Sequence, residues 1–189
     1  IFQGNPDLNP AYASTLDLGY MIKNRQITLT TSIYGQYETE SFERIQEETG
    51  EVTDNGIPII RTIPINLSTN QRIGFELGIL YNPAKWLRFN SSFNFFRFET
   101  QGIYNDIDFG AKNTSWFTRA GVKINLPGEI NTQTNLFYRG PNQNAQTKSE
   151  GIASVDLAMS KDLFKEKMTL SFNVNDLLNS RKRRSFTLT

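Results

Sequence analysis

The sequence predicts an all-β fold: a segment of antiparallel transmembrane β-barrel built from about eight up-and-down strands. Three observations predict it. Apolar and polar residues alternate with period two over stretches of about ten residues, the length that takes a tilted strand through a bilayer. The connections between these stretches alternate short and long, and aromatic rings recur where the stretches end.

Taken in order, residues 1–10 are polar and turn-rich, with no signal peptide in view. From Tyr12 to Ile22 the even positions carry Tyr12, Leu16, Leu18, Tyr20 and Ile22 against Ala13, Thr15, Asp17, Gly19 and Met21. Ile27, Leu29, Ile33 and Tyr37 then alternate with Thr28, Thr30, Ser32 and Gln36. Ile73, Phe75, Leu77, Ile79 and Tyr81 alternate with Gly74, Glu76 and Gly78, and Leu87, Phe89, Phe93 and Phe95 with Arg88, Asn90, Ser92 and Asn94. Trp116, Ala120, Val122 and Ile124 oppose Phe117, Arg119, Gly121 and Lys123. Ile130, Leu136 and Tyr138 oppose Asn131, Gln133 and Asn135. The last two runs set Ala153, Val155, Leu157 and Met159 against Ser154, Asp156 and Ser160, and Met168, Leu170, Phe172 and Val174 against Thr169, Ser171 and Asn173. Phe96 and Phe98 break the pattern by moving rings to the polar side, with Arg97 on the apolar one. A bulge there, or exit from the membrane at that height, accounts for it. Lys161 falls on the apolar face near a short turn, where a long side chain reaches water.

Short connections are predicted at 23–26, 82–85, 127–129 and 162–167, and long ones at 39–70, 99–112 and 140–151, with another opening near Leu177. A barrel inserted from the periplasm has this rhythm of short periplasmic turns and long external loops. The seven prolines are all assigned to turns, loops or the leader. On the apolar face, Tyr12, Tyr37, Trp116 and Tyr138 then lie at external strand ends, and Tyr20 and Tyr81 near periplasmic ends. Two such belts are what two membrane interfaces select.

Composition narrows the chemistry. Lys and Arg number 20 against 19 for Asp and Glu, so no overall field selects nucleic acid. The chain has no Cys and no His, which removes disulfides, thiol chemistry and His-based catalysis. With no placed nucleophile and no metal motif, no enzymatic activity, catalytic residue, cofactor or metal site is expected. Mean hydropathy is −0.46, and no apolar run approaches the ~20 residues of a transmembrane helix. A barrel strand needs none, because only every second residue meets lipid.

Several segments carry a family resemblance. Gly4-Asn5-Pro6-Asp7-Leu8-Asn9-Pro10, followed by Leu16-Asp17-Leu18-Gly19-Tyr20, resembles an external loop and descending strand of TonB-dependent receptor barrels, with Asp17 where Glu is usual. Phe75-Glu76-Leu77 before Tyr81-Asn82-Pro83, the stretch from Asn125-Leu126-Pro127-Gly128 to Tyr138-Arg139-Gly140-Pro141, and Phe172 to Lys182 are similar to the same outer-membrane receptor-like barrels. Together these cover nearly the whole chain. The resemblance implies a barrel of about 22 strands around a plug, coupled to TonB through an N-terminal segment outside residues 1–189. On this expectation residues 1–189 are the C-terminal portion of the barrel, without the plug domain or the final strand.

Candidate sites follow. The first long connection is acidic (Glu38, Glu40, Glu43, Glu47, Glu48, Glu51 and Asp54, relieved by Arg44 and Arg61), which fits either a hard-cation site or a solvated hairpin above the membrane. Tyr104, Asp106, Asp108 and Phe109 of the second long connection, with Arg139, Asn142 and Asn144 of the third, are candidate ligand-binding residues. Asp17, Glu76, Arg88, Arg119, Lys123 and Asp156 are expected to face the lumen or a plug. The basic run Arg181, Lys182, Arg183 and Arg184 suits lipopolysaccharide phosphates or another loop. The function expected is outer-membrane import of a nutrient: a metal chelate, glycan or peptide. The alternative is a receptor-like barrel that anchors an envelope complex, with a surface lipoprotein or other subunit as partner, and moves no solute. The expected partners otherwise are outer-membrane lipid, lipopolysaccharide and TonB, with no nucleic acid. A complete eight-stranded barrel and a soluble β-sandwich are weaker alternatives.

Overall fold

In a computed structural model, residues 1–143, 146–165 and 167–187 are described. The strands are β1 (Tyr12–Lys23), β2 (Ile27–Val52), β3 (Pro58–Ala84), β4 (Leu87–Gln101), β5 (Ile103–Tyr104), β6 (Ile107–Asp108), β7 (Ala111–Leu126), β8 (Ile130–Arg139), β9 (Asn142–Gln143), β10 (Thr147–Ser149), β11 (Ile152–Leu163), β12 (Met168–Val174) and β13 (Ser185–Thr187). Eight of them form one antiparallel sheet, ordered β1-β2-β3-β4-β7-β8-β11-β12. Every neighbour in that order is the next long strand in the sequence, so the sheet is purely up-and-down. β1 and β12 are its edges, and no pairing joins them among the described residues.

The register carries the period-two pattern across the whole sheet. Leu18 pairs with Ile33, Ile33 with Phe75, Phe75 with Phe95 and Phe95 with Trp116. Lower down, Ile22, Leu29, Ile79 and Tyr81 share that face, as do Leu136, Val155, Leu157 and Phe172 further along. One face is therefore apolar from edge to edge, and its side chains are bare: Leu16 is 76% exposed, Leu18 74% and Ile73 65%. A face this apolar is too large to leave in water. It is the lipid face of a membrane wall, and the opposite, polar face looks inward. On that face, Trp116 packs on Tyr138 with ring centroids 4.4 Å apart.

Of the two readings of the first long connection, the projecting hairpin holds: β2 and β3 continue their ladder well past the end of β1, from Thr39–Thr69 up to Glu48–Ile60. Cross-strand pairs sustain it. Glu47 sits opposite Arg61 with Arg61 Nε 2.8 Å from Glu47 Oε1, and Ile45 sits opposite Ile63. Two expectations are corrected. Not all prolines lie outside strands. Pro64 lies within β3, at a height where β4 no longer pairs with it, so its missing N–H breaks no β3–β4 bond. The turn placed at 82–85 also shifts: β3 runs on to Ala84 through an irregularity after Tyr81, and the turn is residues 85–86.

Above the membrane the hairpin builds a small core of Ile45, Ile63, Ile65, Leu67 and Phe109, with Tyr104 packed against it. Residues 1–9 strap alongside β3: Thr62 N donates to Ile1 O at 2.7 Å, Gln3 N to Thr62 O at 3.0 Å, and Asn9 N to Asn66 Oδ1 at 2.8 Å. From the third long connection, the Gln146 side chain accepts from Gln46 N and donates to Gln46 O, both at 3.0 Å. β9, β10 and β13 form a separate three-stranded sheet beside it.

Candidate functional site

The inward face is built in rungs, each taking one residue from successive strands. One rung reads Ser32, Glu76, Asn94, Phe117 and Arg139; the next outward reads Tyr34, Gly74, Phe96 and Ser115; the third reads Gln36, Arg72, Phe98 and Asn113. On the periplasmic side of these, Ser92, Arg119, Phe137 and Ser154 form a rung. The pairing of β4 with β7 runs unbroken from Leu87 to Thr100, so there is no bulge at Phe96. Of the two explanations for the broken pattern the bulge is excluded: Phe96 and Phe98 have the inward parity, and Arg97 stands on the outward face opposite Ile73, one rung beyond the Phe95–Trp116 pair.

A polar network fixes this wall. Tyr34 Oη donates to Asn94 Oδ1 at 3.2 Å, and Asn94 Nδ2 donates to Glu76 Oε1, linking β2, β4 and β3. Asn94 is buried at 6% exposure, so its amide depends on these partners. The Tyr34 ring lies flat over Gly74, where any Cβ would overlap it. Glycine is therefore required by the ring rather than by the backbone.

Arginines stack on the inward rings. Arg72 Cζ is 5.1 Å from the Phe96 centroid; Arg119 Cζ is 5.9 Å from that of Phe117 and 5.6 Å from that of Phe137. Among the described residues none of Arg72, Arg88, Arg119, Lys123 and Arg139 is in an ion pair. Two adjoining depressions follow the wall. One of about 460 Å³ is lined by Tyr34, Arg72, Glu76, Phe96, Phe117 and Arg139, and one of about 520 Å³ by residues including Thr30, Ser32, Glu76 and Phe117. They share Glu76, Asn94 and Phe117, which makes a continuous trough.

The sequence-predicted lumen residues divide. Asp17, Glu76, Arg88, Arg119, Lys123 and Asp156 all have the inward parity in the register. Asp156 is not free, however: Arg181 Nη2 reaches it at 3.4 Å and donates to Ser154 Oγ at 2.9 Å. Arg181 is held there by a turn in which Asp176 accepts from Ser180 N at 2.9 Å and from Arg181 N at 3.0 Å. Of the rest of the basic run, Arg184 pairs with Glu150 at 3.7 Å, while Lys182 and Arg183 are exposed.

The loop candidates do not form one site. Phe109 is buried at 7% exposure in the hairpin core and Tyr104 packs on it, so both are spent on packing. Asp108 Oδ1 closes its own turn by accepting from Gly110 N at 2.7 Å, and Asp106 sits exposed in a tight turn. Arg139 and Asn142 instead border the interior trough, with Asn142 Oδ1 accepting from Asn113 Nδ2 at 3.0 Å. Asn144 lies outside the described residues. The acidic hairpin forms no group of three or more carboxylates able to hold a metal among the described residues. Its one perturbed carboxyl is Glu43, well beyond the external belt, which burial pushes above the ordinary range with help from Glu38. Sequence reasoning passed over Arg72, Tyr34, Phe96, Phe137 and Asn94 as site residues. The signal was present: each ring stands at an inward-parity position, where a barrel interior otherwise takes polar side chains.

A family described as the outer membrane protein beta-barrel family matches residues 1–189, the whole chain. Among curated proteins none matches it.

Proposed function

The chain belongs to the outer membrane protein beta-barrel family, and from that premise we propose that it is part of the wall of a TonB-dependent transporter. It lies in the outer membrane and crosses it repeatedly by strands. The proposed cargo is a scarce nutrient (a metal chelate, glycan or peptide), with a plug and TonB contact supplied outside residues 1–189, and with no catalytic step.

The observation that carries the reading is the interior trough. Its charged side chains stand exposed, and the wall's rings and arginines are arranged without closing the space. A barrel wall that only anchors other proteins has no need of rings and arginines ordered along its interior face. The motif order that resembles TonB-dependent receptors supports the same reading, and lipid on the apolar face and lipopolysaccharide at the outer rim complete the proposed partners.

The test is uptake. Deleting the gene is expected to abolish growth on one limiting nutrient, and the full gene to restore it in a TonB-dependent manner. Normal uptake of all nutrients together with lost assembly of an envelope complex would refute transport and establish the anchoring role.

A further inference from the structure

We propose that the interior trough is a binding site for a small oxyanion, a carboxylate or phosphate, carried on a ring-bearing or otherwise apolar solute. Two cations, Arg72 and Arg139, border the space, and Glu76 beside them accepts from Asn94 Nδ2 through Oε1. Arg72 lies over the Phe96 ring at 5.1 Å. Stacking uses the flat face of a guanidinium and leaves its edge, with the N–H fork, directed away from the ring. Among the described residues neither Arg72 nor Arg139 donates from its side chain to a protein acceptor, and neither is in an ion pair. Such a fork matches the two oxygens of a carboxylate or phosphate, and the ring beside it offers an apolar surface to whatever carries the anion.

The space is the right size: about 460 Å³ falls within the range of small-molecule pockets. It is also held in shape, since the Tyr34–Asn94–Glu76 network ties three neighbouring strands beneath it. The inward cations Arg88 and Lys123 stand opposite each other in the β4–β7 register, nearer the short turns, and among the described residues no ring lies beneath either. They supply charge without the stacked fork, which makes them the internal control.

The inference requires only that this face line the barrel interior. It does not require import, so binding and uptake fail separately. The experiment is titration calorimetry on the full-length protein in detergent, with phenyl phosphate, benzoate and uncharged benzamide as probes. At least one oxyanion is expected to bind saturably, and whether phenyl phosphate or benzoate binds more tightly identifies the anionic group. Benzamide is expected to bind at least tenfold more weakly. Arg72→Gln with Arg139→Gln is expected to weaken oxyanion binding at least tenfold, while Arg88→Gln with Lys123→Gln changes it less than threefold. If the glutamine pair does not fold, judged by heat-modifiable gel mobility, Arg72→Lys with Arg139→Lys keeps the charge but not the fork and is expected to weaken binding severalfold. No saturable binding of either oxyanion, equal binding of benzamide, or equal loss in the trough and control pairs overturns the proposal.

Discussion

Replacing Gly74 by alanine places a methyl carbon inside the volume of the Tyr34 ring. The strands cannot separate to make room, because β2 and β3 are paired continuously on both sides of this rung. The ring must swing away instead. That breaks the 3.2 Å bond from Tyr34 Oη to Asn94 Oδ1, a net loss of about 0.5 to 1.5 kcal/mol. It also forces the surrounding side chains to repack, at about 1 to 3 kcal/mol. Together these predict a loss of about 1.5 to 4.5 kcal/mol for Gly74→Ala, against about 1 kcal/mol for Tyr34→Phe, which removes the hydroxyl alone. In a Tyr34→Ala background the same Gly74→Ala change has nothing to strike, and its cost should fall to about zero. The assay is urea-dependent folding of the full-length protein in lipid vesicles, followed by tryptophan fluorescence and gel mobility. If Gly74→Ala costs the same with and without the Tyr34 ring, the steric and network argument is wrong.

Other consequences are more local. Ile65 is 1% exposed at the centre of the extramembrane core, so Ile65→Ala should destabilise that hairpin by about 2 to 5 kcal/mol. Protease cleavage within residues 53–57 should quicken while the unfolding midpoint of the membrane wall stays unchanged. Glu43 has its carboxyl raised by burial, so the folded hairpin binds a proton more readily than the unfolded one. The resulting stabilisation is full below the unfolded pKa and is lost as pH rises through the folded one. Hydrogen exchange in the hairpin, corrected for intrinsic rates, should therefore be slower at pH 4 than at pH 7.5, and Glu43→Gln should abolish the difference. Asp176→Ala strands the amides of Ser180 and Arg181 and releases Arg181 from Asp156, so exchange across residues 176–184 should accelerate by about tenfold or more. Unchanged exchange there would show that the turn is held by something else.

What was legible in the sequence was whatever the membrane imposes directly. Alternation such as Leu16-Asp17-Leu18 exists because one side chain meets hydrocarbon and the next does not, and the register preserves it from β1 to β12. Outside the bilayer that selection stops. Ser41 to Glu51 reads as one arm of a solvated hairpin, but nothing in its charged composition shows that its partners Ile63, Ile65 and Leu67 are buried. Pairings between distant segments were also invisible: nothing near Asp156 announces Arg181, which arrives 25 residues later through a turn set by Asp176. The interior aromatics were legible only as exceptions. Phe96 and Phe98 read as a bulge or as exit from the membrane, and only the unbroken β4–β7 ladder excludes the bulge.

The central claim is that this sheet is a membrane wall with its odd-numbered β3 face in lipid and its even-numbered face toward an aqueous interior. Residues 1–189 contain no cysteine, so single cysteines can be introduced and labelled along Arg72 to Tyr81 of β3 in the full-length protein reconstituted in vesicles, with any cysteine elsewhere in it replaced. Fluorophores at 73, 75, 77 and 79 should be quenched by brominated lipid and not by iodide, and those at 72, 76, 78 and 80 by iodide and not by brominated lipid. Quenching by iodide at every position, or an alternation of the opposite phase, would contradict the account.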